Sequence, residues 1–149
     1  MAPTPVDATW EIVSPGPLQS VEELTAAARP TPGPSLSELQ KLRRNLSQAE
    51  ARRMQALLMQ ERALQELVRV AGRDGGWKHY HTHNSRFSEE GFQDSTMLRN
   101  GRLVVIECKT ELARVPSKQL EWLLEWLNAG AEVFILRPSG WPAMQAVLR

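Results

Sequence analysis

The chain has 149 residues, 42% of them hydrophobic, and a formal net charge of +1: enough for one compact domain with an appendage, without a global attraction for polyanions. Its single cysteine excludes an intramolecular disulfide framework and a four-cysteine zinc module. No apolar run approaches the roughly 20 residues of a membrane-spanning helix, and residues 1–5 have neither the basic start nor the apolar core of a secretory signal. The expectation is a soluble, intracellular chain, cytoplasmic in location.

Residues 1–34 hold Pro3, Pro5, Pro15, Pro17, Pro30, Pro32 and Pro34. Proline lacks a backbone donor and fixes φ, so this density predicts a disordered, Pro-rich arm with no part in the chemistry, interrupted by two helical turns over 21–28. Trp10 and Ile12 leave room for a docking segment within it. Order is expected from Ser35 onward, giving a domain over 35–149. Ser35-Leu36-Ser37-Glu38 and Ser47-Gln48-Ala49-Glu50 both have the capping-box form that marks a helix start. Either one helix runs on or two meet near Asn45, and 48–71 is rich in strong helix formers up to Gly72.

Beyond Gly75-Gly76 the pattern becomes that of strands. Residues 77–83 read as a strand and 84–93 as a loop; 96–99 and 102–109 read as two strands joined by Asn100-Gly101, the preferred pair for a tight type I′ hairpin. Ser117–Asn128 reads as an amphipathic helix closed by Gly130, Glu132–Leu136 as a strand stopped by Pro138, and Trp141–Leu148 as a short helix. The order places the chain in the α/β class, with a mixed β-sheet flanked by α-helices. Trp122, Trp126 and Trp141 read as core residues.

Chemistry concentrates in Leu103-Val104-Val105-Ile106-Glu107-Cys108-Lys109. Its first four residues are apolar at both parities, as in a strand buried on two faces. Glu107 and Lys109 then fall on one face with Cys108 on the other. Either the strand emerges into solvent here or an acid and a base sit together for a purpose. Pairing around Asn100-Gly101 sets 99 against 102, 97 against 104, and Asp94 close to Glu107. Two carboxylates that close repel unless a cation lies between them, and hard oxygen ligands suit Mg²⁺ or Mn²⁺. Lys109 beside them suits orientation of a water or steadying of charge on a phosphate oxygen, which is the equipment of metal-assisted phosphodiester hydrolysis.

Asp94 followed by Glu107-Cys108-Lys109 resembles the PD-(D/E)XK nuclease superfamily. Gly91-Phe92-Gln93-Asp94, Ile106-Glu107-Cys108-Lys109, Gln119-Leu120-Glu121-Trp122 and Ala129-Gly130 together are similar to the VRR-NUC domain, a small replication-and-repair nuclease common in phages, over about residues 55–142. Gln93 departs from the pattern, standing where the family has the proline of its P-D pair. The resemblance implies a restriction-endonuclease-like fold and a Mg²⁺- or Mn²⁺-dependent deoxyribonuclease. Asp94, Glu107, Glu61 and the Cys108 backbone carbonyl would hold the metal, Lys109 would act on the water, and Gln119 would order the site. Glu61-Arg62-Ala63-Leu64-Gln65 matches the family's acidic helix residue followed by Gln. The resemblance also implies a homodimer acting on branched DNA such as four-way junctions.

Alternatives stay open residue by residue. Glu61 borders the apolar stripe Leu57, Leu64 and Val68, so it is either a site residue or a solvated helix edge; Gln119 is either a site residue or a polar helix start. His79, His81 and His83 share a strand face and have zinc-chelating spacing, but Cys108 faces away. Lys78, His81, Arg86 and Lys118 are read instead as a phosphate-facing rim. The rival to a nuclease is a non-catalytic nucleic-acid-binding or adaptor module of the same fold.

Overall fold

The computed structural model describes residues 16–82 and 88–149. Asn100 and Gly101 adopt positive φ values of 50° and 77°, the left-handed geometry a two-residue hairpin turn demands and that Asn and Gly tolerate best. That turn sets the register of β2 (Ser95–Arg99) against β3 (Arg102–Cys108): Arg99 faces Arg102, Met97 faces Val104 and Ser95 faces Ile106. β1 (Lys78–His81) adds antiparallel to β2, and β4 (Glu132–Leu136) adds parallel to β3, giving a four-stranded mixed sheet in the order β1-β2-β3-β4. His83 and Arg86 lie outside the described residues, as does the rest of 84–87.

Helices cover both faces, which is why β3 is apolar at both parities. On one face Val104, Ile106 and Cys108 pack against Leu64 and Val68 of α4 (Glu61–Asp74) and Met144 and Leu148 of α6 (Trp141–Leu148), with Trp141 alongside. On the other, Val105 and Val133 pack against Leu123 of α5 (Ser117–Asn128) and Leu24 of α1 (Val21–Ala27), with Trp126 alongside. α2 (Leu36–Leu42), a 3₁₀ turn at Arg43–Asn45 and α3 (Gln48–Leu58) precede α4. Both capping boxes form: the Ser35 and Ser47 amides donate to Glu38 and Glu50, whose own amides donate back to the serine hydroxyls.

Two expectations need correction. The helix read over 48–71 is broken at Met59 and Gln60, which take extended backbone with ψ of 127° and 152°. Uniformly high helix propensity carries no signal for such a break; packing decides it. The break places Glu61 in the first turn of α4.

The disordered arm ending at residue 34 is also not what residues 16–34 form. Leu24 and Ala28 are buried, and the Leu18 amide donates to the Val133 carbonyl at 2.9 Å. The Arg137 guanidinium, itself buried, donates to the carbonyls of Ala27, Arg29, Thr110 and Ala113. Thr31 accepts from Arg53 and donates to Glu111, which forms a buried 3.5 Å ion pair with Arg53. Prolines remove only their own amide donors; Arg137 meets the Ala27 and Arg29 carbonyls, and Arg53 meets those of Thr31 and Pro34. The boundary expected at 34/35 therefore falls inside one packed unit. Trp10 and Ile12 lie outside the described residues. Among those described, no helix is long and apolar enough to cross a membrane.

Candidate active site

The hairpin register, continued by one residue beyond Ser95–Ile106, sets Asp94 beside Glu107. The Asp94 carboxylate accepts a 2.8 Å hydrogen bond from the Cys108 amide through Oδ2. Burial raises the Asp94 pKa, opposed by that amide, by the Lys109 charge, by a hydrogen bond from Gln65 and by His81.

Glu107 is the most deeply buried carboxyl in the cluster. Its side chain is 1% exposed, and neither carboxyl oxygen has a hydrogen-bond partner. The Lys109 ammonium stands 3.4 Å from Oε1, an ion-pair distance. Burial, then the neighbouring Asp94 charge, push the Glu107 pKa up to about 8 against the pull of Lys109. A buried carboxyl with unsatisfied oxygens is costly unless something positive or proton-donating meets it.

Cys108, between these residues, turns its side chain into the opposite core. Its thiol pKa is raised well above the ordinary value by burial and by the surrounding carboxylates. Its contact with the cluster is through its backbone amide, which donates to Asp94.

Glu61 arrives from α4. Burial raises its pKa, Lys109 lowers it and Asp94 raises it, which places it within electrostatic reach of both. The Gln65 amide, one helical turn on, stands 3.4 Å from Glu61 Oε1 as well as bonding Asp94. Glu61, Asp94, Glu107 and Lys109 are thus brought together from three elements. Yet among the described residues no three His, Cys, Asp or Glu side chains gather closely enough to form a metal-ligand group. The expected three-carboxylate set is therefore not closed up.

α5 is fixed beside the segment leading into Asp94. Gly91 has φ 86°, and a Cβ there would lie 2.5 Å from the Lys118 carbonyl carbon and oxygen and 2.9 Å from the Gln119 nitrogen. Only glycine allows this approach. Phe92 packs edge-on to Trp122 at 5.0 Å, and the Trp122 indole donates to the Glu90 carbonyl. Gln119 is held at this junction with Oε1 buried and without a hydrogen-bond partner.

The expected phosphate rim is only partly gathered. His81 lies near enough to Asp94 to lower its pKa. Lys78 is exposed on β1, and Lys118 is an exposed residue 3.7 Å from Glu121. His79 bonds Ser95 Oγ at 3.0 Å, and burial lowers its pKa; it belongs to the sheet's packing.

Two residues outside the expected catalytic set lie against the cluster: Gln65, already matched by the resemblance and at helical spacing from Glu61, and Gln93, fully buried beside Asp94. The first was legible in its i,i+4 spacing; the second had no local signal. Compared with family models, curated proteins and solved structures, the chain has no match.

Proposed function

We propose that the protein is a Mg²⁺- or Mn²⁺-dependent nuclease hydrolysing DNA phosphodiester bonds, with a restriction-endonuclease-like fold of the VRR-NUC kind. One observation carries the reading: Glu107, 1% exposed and without a close hydrogen bond, stands beside Asp94 with the Lys109 ammonium 3.4 Å from Oε1 as its counter-charge. A hard cation relieves both the repulsion and the unsatisfied lone pairs. Mg²⁺ binds through one or two carboxylates while keeping several waters, so a two-carboxylate site without a three-ligand cage fits it.

Asp94 and Glu107 would hold the ion with the Cys108 carbonyl. When bound, the cation supplies positive charge against the anionic phosphate and makes a nearby water more acidic. Lys109 orients that water or donates to a phosphate oxygen, Glu61 assists at its edge, and Gln119 orders the α5 side. Gln65 keeps Asp94 and Glu61 in fixed relation. Lys78, His81, Arg86 and Lys118 would meet phosphates. By the same resemblance the substrate extends to branched DNA, including four-way junctions, and the acting unit is a homodimer.

The absence of a three-ligand group among the described residues favours one rival, a non-catalytic DNA-binding or adaptor module. Metal-dependent cleavage by the purified full-length chain separates the two; EDTA-insensitive DNA binding without cleavage supports the module.

A further inference from the structure

Gln93 stands immediately before Asp94 with 0% exposure. A fully buried amide must place its donors and acceptor. The Trp126 indole nitrogen, which only donates, lies 2.9 Å from Gln93 Oε1. That contact fixes the orientation of the amide and turns its nitrogen toward Thr96 Oγ1 at 2.8 Å. The side chain therefore bridges over Asp94 to the residue two positions beyond it, while anchoring the whole turn to α5.

The backbone on either side of Asp94 is held as well. Thr82 donates from its hydroxyl to the Gln93 carbonyl at 2.9 Å and from its amide to the Asp94 carbonyl at 2.9 Å. Asp94 Oδ2 is then steered onto the Cys108 amide. Backbone and side chain around the carboxylate are restrained at once from Thr82, the residue after β1, from Thr96 of β2, from Cys108 of β3 and from Trp126 of α5.

We infer that Gln93 is a positioning residue for Asp94, its amide bridging Thr96 and Trp126 to hold the turn that presents the Asp94 carboxylate to the site. The inference rests on the reading of Asp94 as a metal-binding carboxylate. The hydrogen-bonded amide restrains the turn and ties it to the helix that carries Gln119.

The test uses Mn²⁺ alone as probe, titrated calorimetrically into the full-length wild-type protein, Gln93→Met and Thr96→Val, below their melting temperatures. Leu148→Ala, which cuts into the core on the opposite sheet face, controls for a general loss of stability. Outer groups that orient metal ligands typically contribute about 10–100-fold in affinity. The expected result is a loss of that size in Gln93→Met and Thr96→Val, with wild-type affinity retained in Leu148→Ala despite a lower Tm. If Gln93→Met does not fold, Thr96→Val decides, since it removes one hydroxyl and keeps the shape. Folded variants that bind Mn²⁺ within about threefold of wild type overturn the inference and leave the site reading intact. A wild-type protein that binds no Mn²⁺ overturns both.

Discussion

Asp94 and Glu107 stand side by side at the end of the β2–β3 hairpin, and Asp94 takes its hydrogen bond from the amide of the residue that follows Glu107. One turn, Asn100-Gly101, fixes that relationship from the far end of two strands. It forces two acids into a buried space served by a single nearby ammonium, that of Lys109 at 3.4 Å.

The first consequence is a pH-dependent cost in the metal-free protein. The Glu107 pKa rises from 4.5 to about 8 on folding, so between these values the native state binds more protons than the unfolded state. Stability then falls as pH rises through that window. Glu107→Gln removes the cost. Melts in EDTA from pH 4 to 9 should show the variant gaining most on wild type at pH 8 and above, and little at pH 4. A variant less stable than wild type across the whole range contradicts the burial argument.

Lys109 is expected to act in the chemical step. Lys109→Ala should slow saturating single-turnover cleavage by about 10²–10³, or about 3–4 kcal/mol. A normal rate with weaker DNA binding and a shallower salt slope is the behaviour of a phosphate-contacting lysine, and would remove Lys109 from the catalytic set.

The segment over 16–34 should be needed for the fold. Deleting it exposes the surface under Leu24 and Ala28 and leaves Arg137 without the Ala27 and Arg29 carbonyls. The Leu24 loss alone resembles a core Leu→Ala change, about 2–5 kcal/mol. Arg53→Met, which removes the ion pair to Glu111 but leaves that carboxylate the Thr31 hydroxyl, the Ser139 amide and the Arg137 charge, should cost about 1.5–3 kcal/mol. Denaturant melts of both variants check this; a 35–149 fragment as stable as the full chain would restore the boundary expected from proline density.

What could be read from the sequence follows from how far apart the interacting residues are. The hairpin, its register and the Asp94–Glu107 approach are local consequences of Asn100-Gly101 and a period of two, and α5 and β4 have the expected bounds. The break at Met59 and Gln60 was hidden by helix formers on both sides. The docking of residues 16–34 depends on Arg137, separated by 110 positions from Ala27, and no pattern near Pro30 or Pro32 reports it. The bridging by Gln93 has no local signal because its helix partner, Trp126, lies 33 positions away.

The most direct test of the central claim is single-turnover cleavage of duplex and four-way-junction DNA by the full-length protein, in Mn²⁺ and in EDTA, for wild type and Glu107→Gln. The account predicts cleavage by wild type in Mn²⁺, none in EDTA, and loss of cleavage in a folded Glu107→Gln protein. Cleavage that persists in EDTA or in Glu107→Gln, or a folded wild type that cuts neither substrate in Mn²⁺, contradicts it.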